Sequence, residues 1–170
     1  MTAALDRRAE VDRIWSILET VVDPEIPVLT VVDLGVVRDV RLGDGGRVEV
    51  AITPTYSGCP AMTMIELSIK AALEAAGYRD PRITTALAPA WTTDWLSEEG
   101  RRKLEAFGIA PPARGAAGGR RALFESGDGV RCPRCTSTNT ERISEFGSTP
   151  CKAHHRCRDC LEPFDYFKCI

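Results

Sequence analysis

Six of the seven cysteines in this 170-residue chain lie in its last 39 residues, and four of them form two Cys-x-x-Cys pairs 21 residues apart, Cys132-Pro133-Arg134-Cys135 and Cys157-Arg158-Asp159-Cys160. Each pair lets two sulfurs reach one ion from a single turn. Two such turns close a tetrahedral site with no position left for a substrate, so a structural zinc ribbon is predicted. An Fe–S cluster on the same four thiolates is the competing occupant. Large apolar residues are sparse here, with Ile143, Phe146, Phe164 and Phe167 among the few, so a bound metal, worth on the order of 10 kcal/mol, has to do the work of a core. Cys151 and Cys169 are surplus. They stay open between single thiols, a second thiol pair or further metal ligands, as His154 and His155 stay open between nitrogen ligands and an exposed strand pair.

The chain divides in charge as well as in cysteine. Residues 1–111 carry 12 basic and 17 acidic side chains, a net −5, while residues 112–170 carry 10 and 7, a net +3, which together make the chain's −2. Between them runs IAPPARGAAGGRRALFESGDG, rich in Gly, Ala and Pro and without apolar period, the composition of a linker. The expected organisation is a first domain over 1–110, a linker over 111–129 and a four-cysteine domain over 130–170. Four thiolates and one dication reduce the second module's +3 to about +1, too little for phosphate-driven binding, so no nucleic-acid partner is expected. No window has the roughly 18 apolar residues of a spanning helix, and the first residues lack a secretory core, so the protein is expected in the cytoplasm with no membrane partner. Disulfides are not expected in that compartment.

In the first module, Ile14, Leu18 and Val21 mark a helix over 10–22, stopped by the prolines of DPEIP. Val36–Leu42 and Arg47–Thr53 alternate as strands around Gly43-Asp44-Gly45-Gly46, a hairpin turn. Met62, Ile65, Ile69 and Leu73 return at helical spacing up to Gly77, and a third strand over 82–87 follows, which calls for a parallel crossover. The fold class is thus mixed α/β: a small α-β-β-α-β sandwich, then a separate metal-stabilised ribbon of short strands. A last short helix is expected after Ser97, and Trp91 and Trp95 read as core or interface.

Cys59 stands in TPTYSGCPAM, with Pro60 suited to a first helical position. Helix-end amides favour a thiolate and would draw its pKa from roughly 8.5 towards neutrality, giving a sulfur able to bind a soft metal. The alternatives are a buried cysteine acting as a small apolar residue, or a later helix start at a Thr63-x-x-Glu66 capping box. Asp33, in VVDLGVV, reads either as a satisfied turn residue or as an acid converging on Cys59, a pair suited to transient iron or an Fe–S fragment. No Glu-x-x-His pair, dinucleotide fingerprint, phosphate loop or nucleophile elbow is visible, so no catalytic residue is expected. Thiol redox chemistry at Cys59 or the CPRC pair is the remaining enzymatic reading.

DPEIPVLTVVDLGVVRDV followed by TPTYSGCPAMTMIE resembles the small α/β domain of the SufT-like Fe–S maturation factors. PAWTTDWLSEEGRRKLEAFGIAPP, CPRC and FGSTPCKAHHRCRDCLEPFDYFKCI are similar to the D (or J) subunits of the multicomponent phenylacetyl-CoA 1,2-epoxidases. The first likeness implies that Cys59 and Asp33 handle iron or Fe–S transiently. The second implies a non-catalytic subunit in bacterial aerobic phenylacetate breakdown, whose partners are the other epoxidase subunits, among them a di-iron oxygenase and a flavin and Fe–S reductase. Its expected task is assembly or maintenance of their iron centres. A purely structural interaction module of the same complex and a thiol oxidoreductase stay open as alternatives, as does self-association.

Overall fold

In the computed structural model, residues 2–113 and 129–168 are described, and they form two compact units that divide between Trp91 and Thr92. Within the first, helix α1 (Thr2–Leu18) buries Ile14 and Leu18 completely. It ends four residues before the predicted boundary, because Thr20 and Val21 turn back onto the carbonyls of Ile17 and Leu18. Asp23, more than the prolines, then sets the next turn: its Oδ1 accepts from the amides of Glu25 (2.9 Å) and Ile26 (2.7 Å). The chain folds back on itself here, with Asp23 N donating to Leu29 O and Val31 N to Val21 O, and Ile26, Leu29, Val31 and Leu34 enter the core.

Strands β1 (Val37–Leu42) and β2 (Val48–Ile52) pair antiparallel around glycines 45 and 46, whose φ of 71° and 79° suit the turn between them. In β2 the expected alternation holds, with Val48, Val50 and Ile52 all at 1% exposure or less. Just before and within β1, Val36 and Val40 are buried as the alternation requires, but at a register shift between Val37 and Asp39 Val37 is buried as well, and Leu42 is only half-buried. Helix α2 (Ala61–Ala75) buries Ile65, Ile69 and Leu73 and leads into β3 (Arg82–Thr85), which lies parallel to β2. This β1-β2-β3 order is the predicted α-β-β-α-β frame. β3 stops short of the predicted 87, and Leu87 is 65% exposed. Trp91 closes the core, its Nε1 donating to Leu34 O at 2.8 Å.

In the second unit, Ser97 caps α3 (Glu98–Phe107) by accepting from Gly100 N at 2.8 Å, and Gly108 (φ 90°) ends it. Directly after comes β4 (Ile109–Ala110), which the sequence reading placed at the end of the first domain. It pairs parallel with the last strand, in the sheet order β4-β7-β6-β5 formed with β5 (Thr140–Ser144), β6 (Lys152–Cys157) and β7 (Pro163–Phe167). Arg101 braces the segment, its guanidinium donating to the carbonyls of Thr93 and Pro112. Ala110 joins Cys132, Cys157 and Phe164 in one buried cluster, with Val130 and Tyr166 against it. Residues 114–128, most of the predicted linker, lie outside the described residues. Among the described residues no helix is long and apolar enough to cross a membrane.

Candidate functional site

The four cysteines of the two pairs converge: their sulfurs all lie within 4.8 Å of one another. Cys132 and Cys160 are 3.8 Å apart, and Cys135 and Cys157 are 3.5 Å apart. Four sulfurs at about 2.3 Å from a central zinc would stand about 3.8 Å from each other, whereas a disulfide needs about 2.05 Å. The donor set therefore fits one tetrahedral thiophilic cation, and with all four vertices supplied by protein such a centre is structural.

Two turns with the same construction produce this geometry. Cys132 N donates to Ser137 O at 2.9 Å, and Cys157 N donates to Glu162 O at 3.0 Å, the same offset in each pair. The residue after each second cysteine takes a left-handed backbone, Thr136 at φ 64° and Leu161 at φ 63°. A β-branched threonine adopts that conformation only where its surroundings impose it. It aims the next amide at the sulfur behind it: Ser137 N bonds Cys135 and Glu162 N bonds Cys160. In each pair the first cysteine is buried and the second exposed.

These sulfurs do not share negative charge equally. The amides of Cys160 and Asp159 draw the Cys157 thiol down to about 7. Cys135, despite the Ser137 amide, is pushed up to about 12 by its hydrogen bonds to Cys157 and Cys160. Without a cation, one sulfur ionises first and its neighbours keep their protons; a dication removes that conflict.

Cys151 is buried outside this group, its sulfur 3.1 Å from Thr149 Oγ1 and its carbonyl accepting from Lys168 N. Cys169 lies outside the described residues. The two histidines occupy β6 but are not an exposed pair. His154 Nδ1 is 3.3 Å from Asp165, while His155 is fully buried, stacked on Phe164 and edge-on to Tyr166, and neither belongs to the four-sulfur group.

Cys59 is half-buried, one residue before Pro60, the N-cap of α2. Helix α2 starts at Ala61, so Thr63 lies inside it and the alternative start is not used. The helix-end amide is present, since Ala61 N bonds the thiol, yet the thiol pKa is raised and not lowered as the sequence suggested. Burial is the main cause, and the charges of Glu25 and Asp23 add to it against the Ala61 and Thr55 hydrogen bonds. Asp33 is a turn residue: its Oδ2 accepts from Thr30 N at 3.1 Å and its own amide donates to Thr30 Oγ1 at 3.0 Å. The acids whose charge acts on Cys59 were thus missed on sequence, although Asp23-Pro24 is itself a turn signal.

Comparison with known proteins follows the same division. Residues 11–83 match the iron-sulfur cluster assembly protein family, and residues 116–168 match the PaaD zinc beta ribbon domain family. Over 162 residues, 95% of this chain and 94% of the relative, the sequence is 48% identical to an Escherichia coli K12 protein provisionally described as the D component of 1,2-phenylacetyl-CoA epoxidase. The chain belongs to that family of epoxidase D components. The chain is also 39% identical over 88 residues, 51% of this chain and 83% of the relative, to an Fe–S protein maturation auxiliary factor from Porphyromonas gingivalis W83. The chain is similar to the crystal structure of a DUF59 domain of unknown function from Bacillus anthracis, at a TM-score of 0.55 and 25% identity, covering 59% of this chain and 96% of that one. Helix α3 and β4 fall between the two matched segments of this chain, although β4 completes the ribbon's sheet.

Proposed function

We propose that this chain is a non-catalytic subunit of a phenylacetyl-CoA epoxidase that assists assembly or maturation of the iron or Fe–S centres of its partner subunits, in the cytoplasm. The observation that carries the reading is the pairing, in one chain, of a saturated four-sulfur centre with a separate half-exposed thiol among carboxylates. The ribbon holds zinc and has no vertex to offer a cargo ion. Cys59 has one sulfur, and the charges of Glu25 and Asp23 favour the approach of a cation while keeping the thiol protonated until it arrives. Iron binding then displaces that proton, and a single thiolate holds its cargo loosely enough to pass it on. Asp33 contributes by fixing the loop after α1 through Thr30. The raised thiol pKa weighs against the thiol oxidoreductase reading, which needs a ready thiolate.

The test is Cys59→Ala in cells producing this subunit with the oxygenase and reductase subunits, followed by iron analysis of each partner. Partner iron should fall while zinc in this protein stays at one per chain. Unchanged partner iron and unchanged epoxidation would leave only the scaffolding role.

A further inference from the structure

We propose that Asp159, which lies between two cysteine ligands without being one, is a positioning residue that locks the first Cys-x-x-Cys turn onto the second and sets the sulfur spacing before metal binds. Its Oδ1 accepts from Asn139 Nδ2 at 2.6 Å and its Oδ2 accepts from the Ser137 hydroxyl. Beside it, Arg158 N donates to Asn139 O at 2.9 Å, so three bonds run from the second turn to the chain that leaves the first. Ser137 is the residue that matters at the far end. Its carbonyl accepts from Cys132 N and its amide bonds the Cys135 sulfur, so holding Ser137 holds both cysteines of the first pair. Hydrogen bonds to an ionised carboxylate are short and strong, as such a clamp requires.

The reciprocal contact is a single bond. By the same repeat, Arg134 of the first turn reaches Glu162 beyond the second at 3.0 Å. Both contacts lie at the surface, but Asp159 joins two residues of the chain leaving the first turn and has the Arg158–Asn139 backbone bond beside it, whereas Arg134 joins one. The near-symmetric centre is therefore held asymmetrically, with Asp159 as the principal link. The inference stands on the ribbon's geometry alone and does not depend on the assembly role.

The experiment uses the full chain with zinc or Co(II) as the probe, reading affinity by competition with a chromophoric chelator, release rate in excess chelator, and the Co(II) ligand-field bands. Removing an outer-shell partner of a metal ligand typically costs about 10- to 100-fold in affinity. Asp159→Ala should weaken zinc binding by that factor, speed its release and broaden the Co(II) bands, while four thiolates still bind. Asp159→Asn keeps an acceptor for Asn139 but loses the charge and the acceptor for Ser137, and should recover only part of the loss, whereas Glu162→Gln should stay near wild type. Ser137→Ala breaks the same contact from the other side and serves if Asp159→Ala does not fold. Its loss should not add to that of Asp159→Ala where both fold. Wild-type affinity in Asp159→Ala or in Ser137→Ala, additive losses, or an equal loss in Glu162→Gln would each overturn the proposal.

Discussion

Stripping the metal should unfold far more than the segment that carries the cysteines. The first of them, Cys132, lies 25 residues beyond the end of α3, and the composition between them reads as linker. In the folded protein, however, β4 follows α3 directly and pairs with β7, and Ala110, at 1% exposure, shares its core with Cys132 and Cys157, both at 0%. Two of the four ligands are thus also core residues of the unit that contains α3. A four-thiolate zinc contributes on the order of 10 kcal/mol, comparable with the whole stability of an ordinary domain, about 5–15 kcal/mol. Losing even about 5 kcal/mol of that lowers amide protection more than a thousandfold. The assay is hydrogen exchange of the full chain in a strong chelator against the zinc-loaded protein. Amides of α3 around Leu104, fully buried in the folded unit, should lose protection together with those of β6 and β7, while α2 keeps its own. Persistent protection of α3 after complete metal removal would show that α3 and β4 fold without the ribbon.

Two further outcomes follow from the first unit. Glu25→Gln removes the carboxylate whose charge contributes most to raising the Cys59 thiol pKa, so the pKa should fall and alkylation of Cys59 at pH 8 should quicken; an unchanged or slower rate would mean that Glu25 does not act on the thiol. Trp91→Phe leaves the carbonyl of Leu34 without the indole donor at 2.8 Å, at a cost of about 1–3 kcal/mol. Calorimetry should show the first unit melting several degrees lower with the ribbon's transition unmoved.

What the sequence disclosed was what depends on near neighbours. Two pairs of cysteines define a metal centre by spacing alone, and the period of Ile65, Ile69 and Leu73 defines α2 because one helix face packs on the sheet. The hidden parts were set by partners remote in the chain. β4 is two residues long, too short to show a period, and exists only because β7 offers it an edge. At the bulge in β1 Val37 is buried as well as its neighbour Val36, which no alternation rule anticipates. His155 looked like the twin of His154, but successive residues of a strand face opposite sides, and one lies partly buried beside Asp165 while the other enters the core. At Cys59 the local signal, an amide at a helix start, was present and was outweighed by burial and by two acids more than 30 residues earlier.

That last reversal bears on how the chain can use its thiols. Had Cys59 been the low-pKa nucleophile its position suggests, it would resemble a redox cysteine, ionised at rest and open to oxidation. A thiol kept protonated beside carboxylates behaves otherwise: it resists alkylation and oxidation until a cation supplies the charge that its surroundings lack. The ribbon differs, since one of its sulfurs, Cys157, is already drawn towards the thiolate by amides and four sulfurs surround whatever enters. A centre built that way retains its ion through turnover of the rest of the molecule, and a site with one guarded sulfur does not. On the proposed reading the two are complementary: the permanent metal fixes the fold of one unit, and only the weaker site is suited to exchange.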